Sequence, residues 1–139
     1  MRELEQPHVV GSPPQLASRR CDELLCEQYW YRGRLDAPFN VIHFRFASEW
    51  HRLTFDTPTV FWRVQSARPE PYAMPEIEAE VRLDDLGVRL GLAGQTLTSF
   101  QMRCVPGGAE VEFQFAGGQI LVFRNVADQT SLEHTLRSA

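Results

Sequence analysis

The strongest constraint on the fold lies in residues 39–65, FNVIHFRFASEWHRLTFDTPTVFWRVQ, where apolar and polar side chains alternate. Alternation with a period of two is typical of a strand with one buried and one exposed face. A turn-forming cluster over residues 56–59 interrupts the pattern. The stretch therefore predicts three consecutive antiparallel strands, around which the rest of the chain must be arranged.

Apolar matching predicts a register for these strands, because a slip of one residue would turn the whole hydrophobic set outward. In this register Phe44 lies opposite Leu53, and Leu53 lies opposite Trp62. The three side chains then share one buried face.

The same register predicts a row of three arginines, Arg45, Arg52 and Arg63, on the other face. Like charges directly opposite one another destabilise a sheet unless something compensates them. Carboxylates of the same chain could neutralise the row, because a strand expected over residues 76–82 carries three of them at alternating positions. Arginine pairs well with carboxylates. These carboxylates are Glu76, Glu78 and Glu80. The external alternative is an anionic ligand or an acidic protein surface.

Two aromatic residues accompany the arginine row. Trp50 is expected near the tip of the first hairpin, and Phe61 lies on the charged face next to Arg52 and Arg63. Aromatic and arginine side chains are enriched in interface hot spots, so the group predicts a binding surface. The alternative is that a helix or a neighbouring sheet covers these aromatic side chains.

Local signals predict one helix near the N-terminus. Residues 12–15, SPPQ, combine a capping serine, a proline at the first helical position and a glutamine three residues after the cap. Ala17, Cys21, Leu24 and Leu25 then form an apolar stripe at helical spacing. The role of Cys26, which lies off that stripe, is not indicated by the sequence.

The remaining segments predict further strands. Strands are expected over residues 29–32, 96–104, 109–116 and 119–126. Residues 66–75 are rich in proline and are expected to form a crossing loop, and the acidic pair at 84–85 is expected to cap a short helical turn. The 96–116 hairpin pairs Phe100 with Phe113 and Arg103 with Glu110, and a two-residue turn at 117–118 sets Phe113 opposite Val122.

About eight short antiparallel strands with one helix predict a mainly β (α+β) fold. The expected architecture is a half-open barrel or a two-sheet sandwich, with the N-terminal helix packed on it. At 139 residues the chain fits a single domain, 1–139. Residues 1–11 and 127–139 are expected to be flexible or loosely packed tails, with a helical turn around 132–136; pairing of Val9-Val10 with a sheet edge is the alternative.

Composition excludes several function classes. The net charge of −4 argues against a nucleic-acid partner, which needs a basic footprint. We expect no membrane partner and no secretion signal, because no apolar run is long enough to span a bilayer and the N-terminus is acidic. The three cysteines show no CxxC spacing, which predicts reduced thiols in a cytoplasmic protein.

A catalytic alternative rests on His43, Thr54 and Asp56. The predicted register sets Thr54 opposite His43 with Asp56 diagonal to it, the order of a hydroxyl, a base and an orienting carboxylate. A metal site is not expected, because His43 and Asp56 are the only close pair of ligands. No phosphate loop or dinucleotide fingerprint is present, so no cofactor is expected.

The leading hypothesis is a noncatalytic cytoplasmic binding or adaptor domain. Its partner, a small anionic ligand or an acidic protein surface, would meet the face that carries the arginine row, supported by Phe61 and Trp50. One alternative is a small hydrolase or isomerase that uses His43 and Asp56 in a barrel mouth. Another is a structural homodimer formed through sheet edges.

Overall fold

A computed structural model describes residues 6–136, which form two β-sheets packed as a sandwich. The elements of this range, in chain order, are β1 (Val9–Val10), β2 (Cys21–Tyr31), β3 (Arg34–Phe46), β4 (Glu49–Asp56), β5 (Thr59–Gln65), β6 (Tyr72–Met74), a 3-10 turn (Pro75–Ile77), β7 (Ala79–Asp85), α1 (Leu86–Arg89), β8 (Leu97–Val105), β9 (Gly108–Phe115), β10 (Gln119–Val126) and β11 (Gln129–Leu136). The seven-stranded sheet has the order β1-β5-β4-β3-β2-β7-β6, and the four-stranded sheet has the order β11-β10-β9-β8. All pairings are antiparallel except that of β1 with β5.

The core lies between the two sheets and is rich in aromatic side chains. Phe44 of the seven-stranded sheet and Phe113 of the four-stranded sheet have ring centroids 4.8 Å apart. Trp62 packs edge-on against Phe100 at 5.9 Å, and its indole N–H donates to the sulfur of Met102. The expected mainly β fold is confirmed, in its two-sheet form.

The predicted N-terminal helix is wrong. Residues 12–19 form no regular element, and Cys21 to Tyr31 form β2, which has β3 on one side and β7 on the other. Leu24 and Leu25 point to opposite faces of the sheet, yet both are buried. A strand that is covered on both faces reads as a continuous apolar run, so its period of two is hidden.

The single α-helix of the described residues is the short α1. Its first turn is capped by Asp85, whose side chain accepts a hydrogen bond from the N–H of Val88. This confirms the helical turn predicted from the acidic pair Asp84-Asp85.

Two predicted registers are confirmed. Leu53 lies opposite Trp62 in the β4–β5 pair. Phe100 lies opposite Phe113 in the β8–β9 hairpin, where Arg103 Nε also donates to Glu110 at 2.7 Å.

The predicted register between β3 and β4 is wrong by two residues, since Ile42 rather than Phe44 lies opposite Leu53. The strands are joined by a tight two-residue turn at Ala47-Ser48, where both residues adopt positive φ, 51° and 66°. A shift of two keeps every side chain on its predicted face, so apolar matching alone does not distinguish the two registers. Two non-glycine residues at positive φ give no turn signal in the sequence.

The predicted pair of Phe113 and Val122 is also wrong, because Phe113 lies opposite Leu121. The turn between β9 and β10 holds three residues, 116–118, rather than two, and its last residue is Gly118 at φ 90°. Three-residue hairpin loops commonly place a glycine at such a position.

The termini are partly built into the sheets. Val9–Val10 forms β1 beside β5, so the alternative of edge pairing is correct for these two residues and the predicted tail is wrong there. The helical turn expected around 132–136 is wrong, since β11 pairs with β10 over its whole length. Residues 1–5 and 137–139 of the predicted tails lie outside the described residues.

Candidate functional site

The three arginines of the predicted row lie on one face of the seven-stranded sheet. Their strand neighbours Phe44, Leu53 and Trp62 are buried between the sheets. Because successive side chains of a strand point to opposite faces, the arginines point away from the four-stranded sheet. This side of the seven-stranded sheet is called the outer face below.

Residues 66–71, called the strap below, cross the outer face. They connect β5 to β6, which are separated by four other strands. The distance from β5 to β6 is five strand spacings, or about 24 Å, and the seven residue steps of the connection reach about 23 Å when extended. The connection must therefore run nearly straight. Arg68 of the strap donates to Glu23 on the outer face at 3.1 Å. The crossing loop predicted over residues 66–75 is therefore present at 66–71, whereas Tyr72–Met74 forms strand β6.

Three outer-face side chains on β2, β3 and β4, which lie between the two ends of the strap, are buried. Leu25, His43 and Trp50 are 1%, 3% and 6% exposed. The burial of Trp50 removes it from the accessible surface that the sequence predicted for it. Phe61, opposite Thr54 on the same face, stays half-buried.

The predicted row of three arginines is wrong at one position. Arg52 lies opposite Arg63, as predicted, but its neighbour on β3 is His43. Arg45 lies opposite Trp50, two residues further along β3 than His43, which is opposite Arg52. The shifted β3–β4 register is the cause.

Arg45 is neutralised from within the sheet. Its Nε donates to Glu23 of β2 at 2.8 Å, and the same carboxylate accepts a hydrogen bond from Arg68. The carboxylate of Asp22 lies 4.0 Å from Arg45. Sequence analysis missed Glu23 because this part of the chain was assigned to a helix, although Glu23, Leu25 and Glu27 alternate in strand fashion.

The predicted internal partners of the row are wrong. Glu76 lies in the 3-10 turn and Glu78 at its end, and only Glu80 lies on β7, which is between β2 and β6, far from β4 and β5. Glu78 binds Arg32 at 2.7 Å, and Glu80 binds Arg82 at 2.6 Å. Among residues 6–136, none of the three carboxylates, Glu76 included, contacts an arginine of the row.

Arg52 and Arg63 form a pair of like charges without a counter-charge in the described part of the chain. Arg63 is exposed, and Arg52 is half-buried. The Nε of Arg52 is buried and has no hydrogen-bond partner among residues 6–136. A buried donor without an acceptor is unfavourable, and this cost is greater for a charged group. The pair is called the arginine pair below.

The geometry on which the catalytic hypothesis depended is wrong. Thr54 lies opposite Phe61, and Asp56 lies opposite Thr59 at the end of β4. The ring of His43 is buried, with Nε2 2.6 Å from Glu27 and Nδ1 2.8 Å from the side-chain nitrogen of Gln65. Both ring nitrogens of His43 therefore have structural partners.

A metal centre and a membrane helix can also be considered. Within residues 6–136, no group of three His, Cys, Asp or Glu side chains is arranged to hold a metal ion. The one helix in that range, α1, is too short to cross a bilayer.

A cavity of about 250 Å³ lies on the other side of the seven-stranded sheet, beside Val64 of β5. Residues 12–16 and Arg19 form one wall, and the other wall contains Phe46, His51 and Val64. The His51 Nε2 lies 3.3 Å from a carboxylate oxygen of Glu49, which also lines the cavity. The cavity therefore combines an apolar floor with charged groups at its rim.

The titration of His51 should contribute to the pH dependence of stability. Burial lowers the pKa of His51 from 6.5; Glu49 opposes this shift and Arg19 adds to it. Because the unfolded chain then binds a proton more readily than the folded chain, the stabilisation is complete above pH 6.5 and is lost as the pH falls below it. We expect His51→Gln to flatten the dependence of the unfolding free energy on pH in this window.

Urea unfolding over about pH 5 to 7.5 measures this dependence. His134→Gln, which removes an exposed histidine of β11, is the matched control. A slope below pH 6.5 that is as steep in His51→Gln as in the wild type would contradict the prediction.

The chain was compared with family models, with curated proteins and with solved structures, and none of the three comparisons finds a match.

Proposed function

We propose that the protein is a noncatalytic binding domain that recognises an anionic group through the arginine pair. The observation that carries this proposal is the direct opposition of Arg52 and Arg63, with the buried Nε of Arg52 lacking an acceptor among the described residues. Guanidinium groups match carboxylates and phosphates with parallel hydrogen bonds. An anionic ligand or an acidic protein surface counters the positive charge of the pair and relieves its repulsion.

The surroundings of the pair favour binding from outside. Arg45 already has Glu23, and the strap crosses the neighbouring part of the outer face, whereas Arg63 is exposed and Arg52 is half-buried. Phe61 lies beside them and provides apolar contact area. Arginine next to an aromatic side chain is a frequent combination in interface hot spots.

The other hypotheses have less support. The enzymatic alternative loses its base, because His43 is buried and bonded at both nitrogens. A homodimer through sheet edges leaves the arginine pair without a partner. We also propose a cytoplasmic location, and the free thiols of Cys21, Cys26 and Cys104 support it because they fit a reducing compartment.

Substitution of Arg52 tests the proposal. We expect Arg52→Ala to leave the melting temperature unchanged or raised, since it removes repulsion, and to abolish the stabilisation of the wild type by phosphate or sulfate. A ligand that binds only the folded state raises the free energy of unfolding by about 1.4 kcal/mol when its concentration is ten times the Kd. Differential scanning calorimetry in a phosphate and a sulfate series measures both effects.

Arg34→Ala is the matched control, because Arg34 is an exposed arginine on the β2–β3 hairpin, away from the arginine pair. The control also corrects for the general stabilisation of proteins by sulfate and phosphate. If Arg52→Ala is clearly less stable than the wild type and both respond equally to anions, the proposal is wrong.

A further inference from the structure

Strand β5 has a free edge next to the arginine pair. Strand β1 covers only Val60 and Phe61 of this edge. Gly11 then lies so close to Trp62 that a Cβ on it would meet the Trp62 carbonyl oxygen at 2.0 Å. The chain continues into the prolines of residues 12–15 and pairs no further with β5.

The backbone of Val64 points out of this edge. The N–H of Val60 donates to the carbonyl of His8 at 2.9 Å, which shows that the backbone groups of Val60 face the β1 side. Backbone groups of a strand alternate between its two sides, so those of Val64 face the same side. Beyond the end of β1, no strand of the described residues pairs with them.

The two faces beside this edge have different chemistry. Arg63 projects from the outer face, where it joins Arg52. Val64 points the other way, towards the cavity, and is 65% exposed, which is unusual for an apolar residue of a central hairpin. Phe46 and Leu16 lie in the cavity wall, and Arg19 adds a positive charge at its rim.

We infer that the anionic partner is an acidic, extended peptide segment that adds to the free edge of β5 as a further strand. This inference rests on the proposed function and names its partner. Alternate residues of an added strand point to opposite faces. Acidic side chains then meet Arg63 and Arg52 on the outer face, and an intervening apolar side chain enters the cavity beside Val64.

Charge and shape favour a peptide over a small anion. A small anion bound at the arginine pair leaves the backbone of Val64 and the cavity unused. An added strand satisfies the N–H and C=O of Val64, covers the exposed valine and places negative charge near Arg52 and Arg63. Main-chain hydrogen bonds then provide affinity, and the arginine pair and the cavity provide selectivity.

The test uses a fluorescent nine-residue peptide in which glutamate alternates with valine. We expect it to bind the wild type in fluorescence anisotropy, and we expect Arg63→Ala to weaken binding by about tenfold or more. Arg34→Ala, the control away from the site, should bind like the wild type. The same peptide with lysine in place of glutamate should not bind.

Backbone methylation of the peptide tests the strand pairing without altering the protein. Methylating the nitrogens of all glutamates removes donors from one edge of the peptide, and methylating those of all valines removes them from the other edge. Because only one edge faces β5, one methylated peptide should lose binding and the other should keep it. Val64→Pro, which removes the donor of β5 itself, should weaken binding by about tenfold or more if its thermal unfolding remains cooperative.

The outcomes separate this inference from the proposed function. If phosphate or the peptide binds through Arg63 but both methylated peptides bind equally, the strand addition is wrong and the anion site stands. If neither phosphate nor the peptide binds, both proposals are wrong. If the wild type alone sediments as a dimer and Val64→Pro does not, a second copy of the chain occupies the edge, and the peptide inference is overturned.

Discussion

Replacing Phe113 with alanine should lower the free energy of unfolding by about 3 to 5 kcal/mol. Phe113 is fully buried in β9, and its ring lies 4.8 Å from Phe44, 6.0 Å from Phe100 and 6.5 Å from Trp62, measured between centroids. Phe44 and Trp62 belong to the opposite sheet. Truncation therefore removes contacts that join the two sheets and leaves a cavity that the sheets, held by their hydrogen-bonded ladders, can only partly close.

Urea unfolding of Phe113→Ala measures this loss. Tyr72→Ala is the control, because it also removes an aromatic ring, but from a side chain that is 53% exposed on the edge strand β6. A loss for Phe113→Ala no larger than that for Tyr72→Ala would show that this ring does not lie at the centre of the core.

The alternation of side chains predicted the faces of the central strands but not all of their registers. The β8–β9 hairpin was placed correctly because Pro106-Gly107 marks a two-residue turn. The β3–β4 hairpin was displaced by two residues because Ala47-Ser48 carries no turn signal. A period of two fixes which face a residue occupies, whereas the length of the turn fixes its neighbour.

The helix prediction failed for a related reason. Local capping signals in residues 12–15 outweighed a strand pattern that burial on both faces had hidden. Leu25 is buried on the outer face, in the part of the sheet that the strap crosses. Since the strap comes more than 40 residues later in the chain, local patterns could not reveal this coverage.

The candidate site was predicted in part. Arg52 and Arg63 are opposite one another because the β4–β5 register was correct. Arg45 does not lie in the row, because the unrecognised turn at Ala47-Ser48 shifts the β3–β4 register. The glutamates of residues 76–80 were expected beside the row only because the sequence does not show which distant strands are neighbours. The free edge at Val64 depends on where β1 ends, which is a tertiary feature.

The two parts of the outer face, on the path of the strap and beside it, differ in how their charges are paired. On its path, Glu23 neutralises Arg45 and Arg68, and His43 is bonded to Glu27 and Gln65. Beside it, Arg52 and Arg63 have no such partners among the described residues. Like charges without a partner reduce stability, which is why we propose the binding site at Arg52 and Arg63 and not at Arg45.

Substitution of Gly108 by alanine should also have a large effect, a loss of about 3 kcal/mol in the free energy of unfolding. Gly108 is the first residue of β9 and lies opposite Val126 of β10. A Cβ built on it would lie 1.7 Å from the carbonyl oxygen of Asn125 and 2.8 Å from the carbonyl carbon. These are backbone atoms of a paired strand, so relief of the clash requires β10 to move away from β9.

Gly117→Ala is the matched control for this substitution. A Cβ at Gly117 would meet the side-chain oxygen of Gln95 at 3.1 Å, and a flexible side chain can move aside at little cost. Urea unfolding should therefore show a small change for Gly117→Ala and a large one for Gly108→Ala. Equal losses in the two variants would mean that the loss of glycine, and not the close approach of β10, determines the cost. In that case the tight packing of the β9–β10 pair at this end would not be a source of stability.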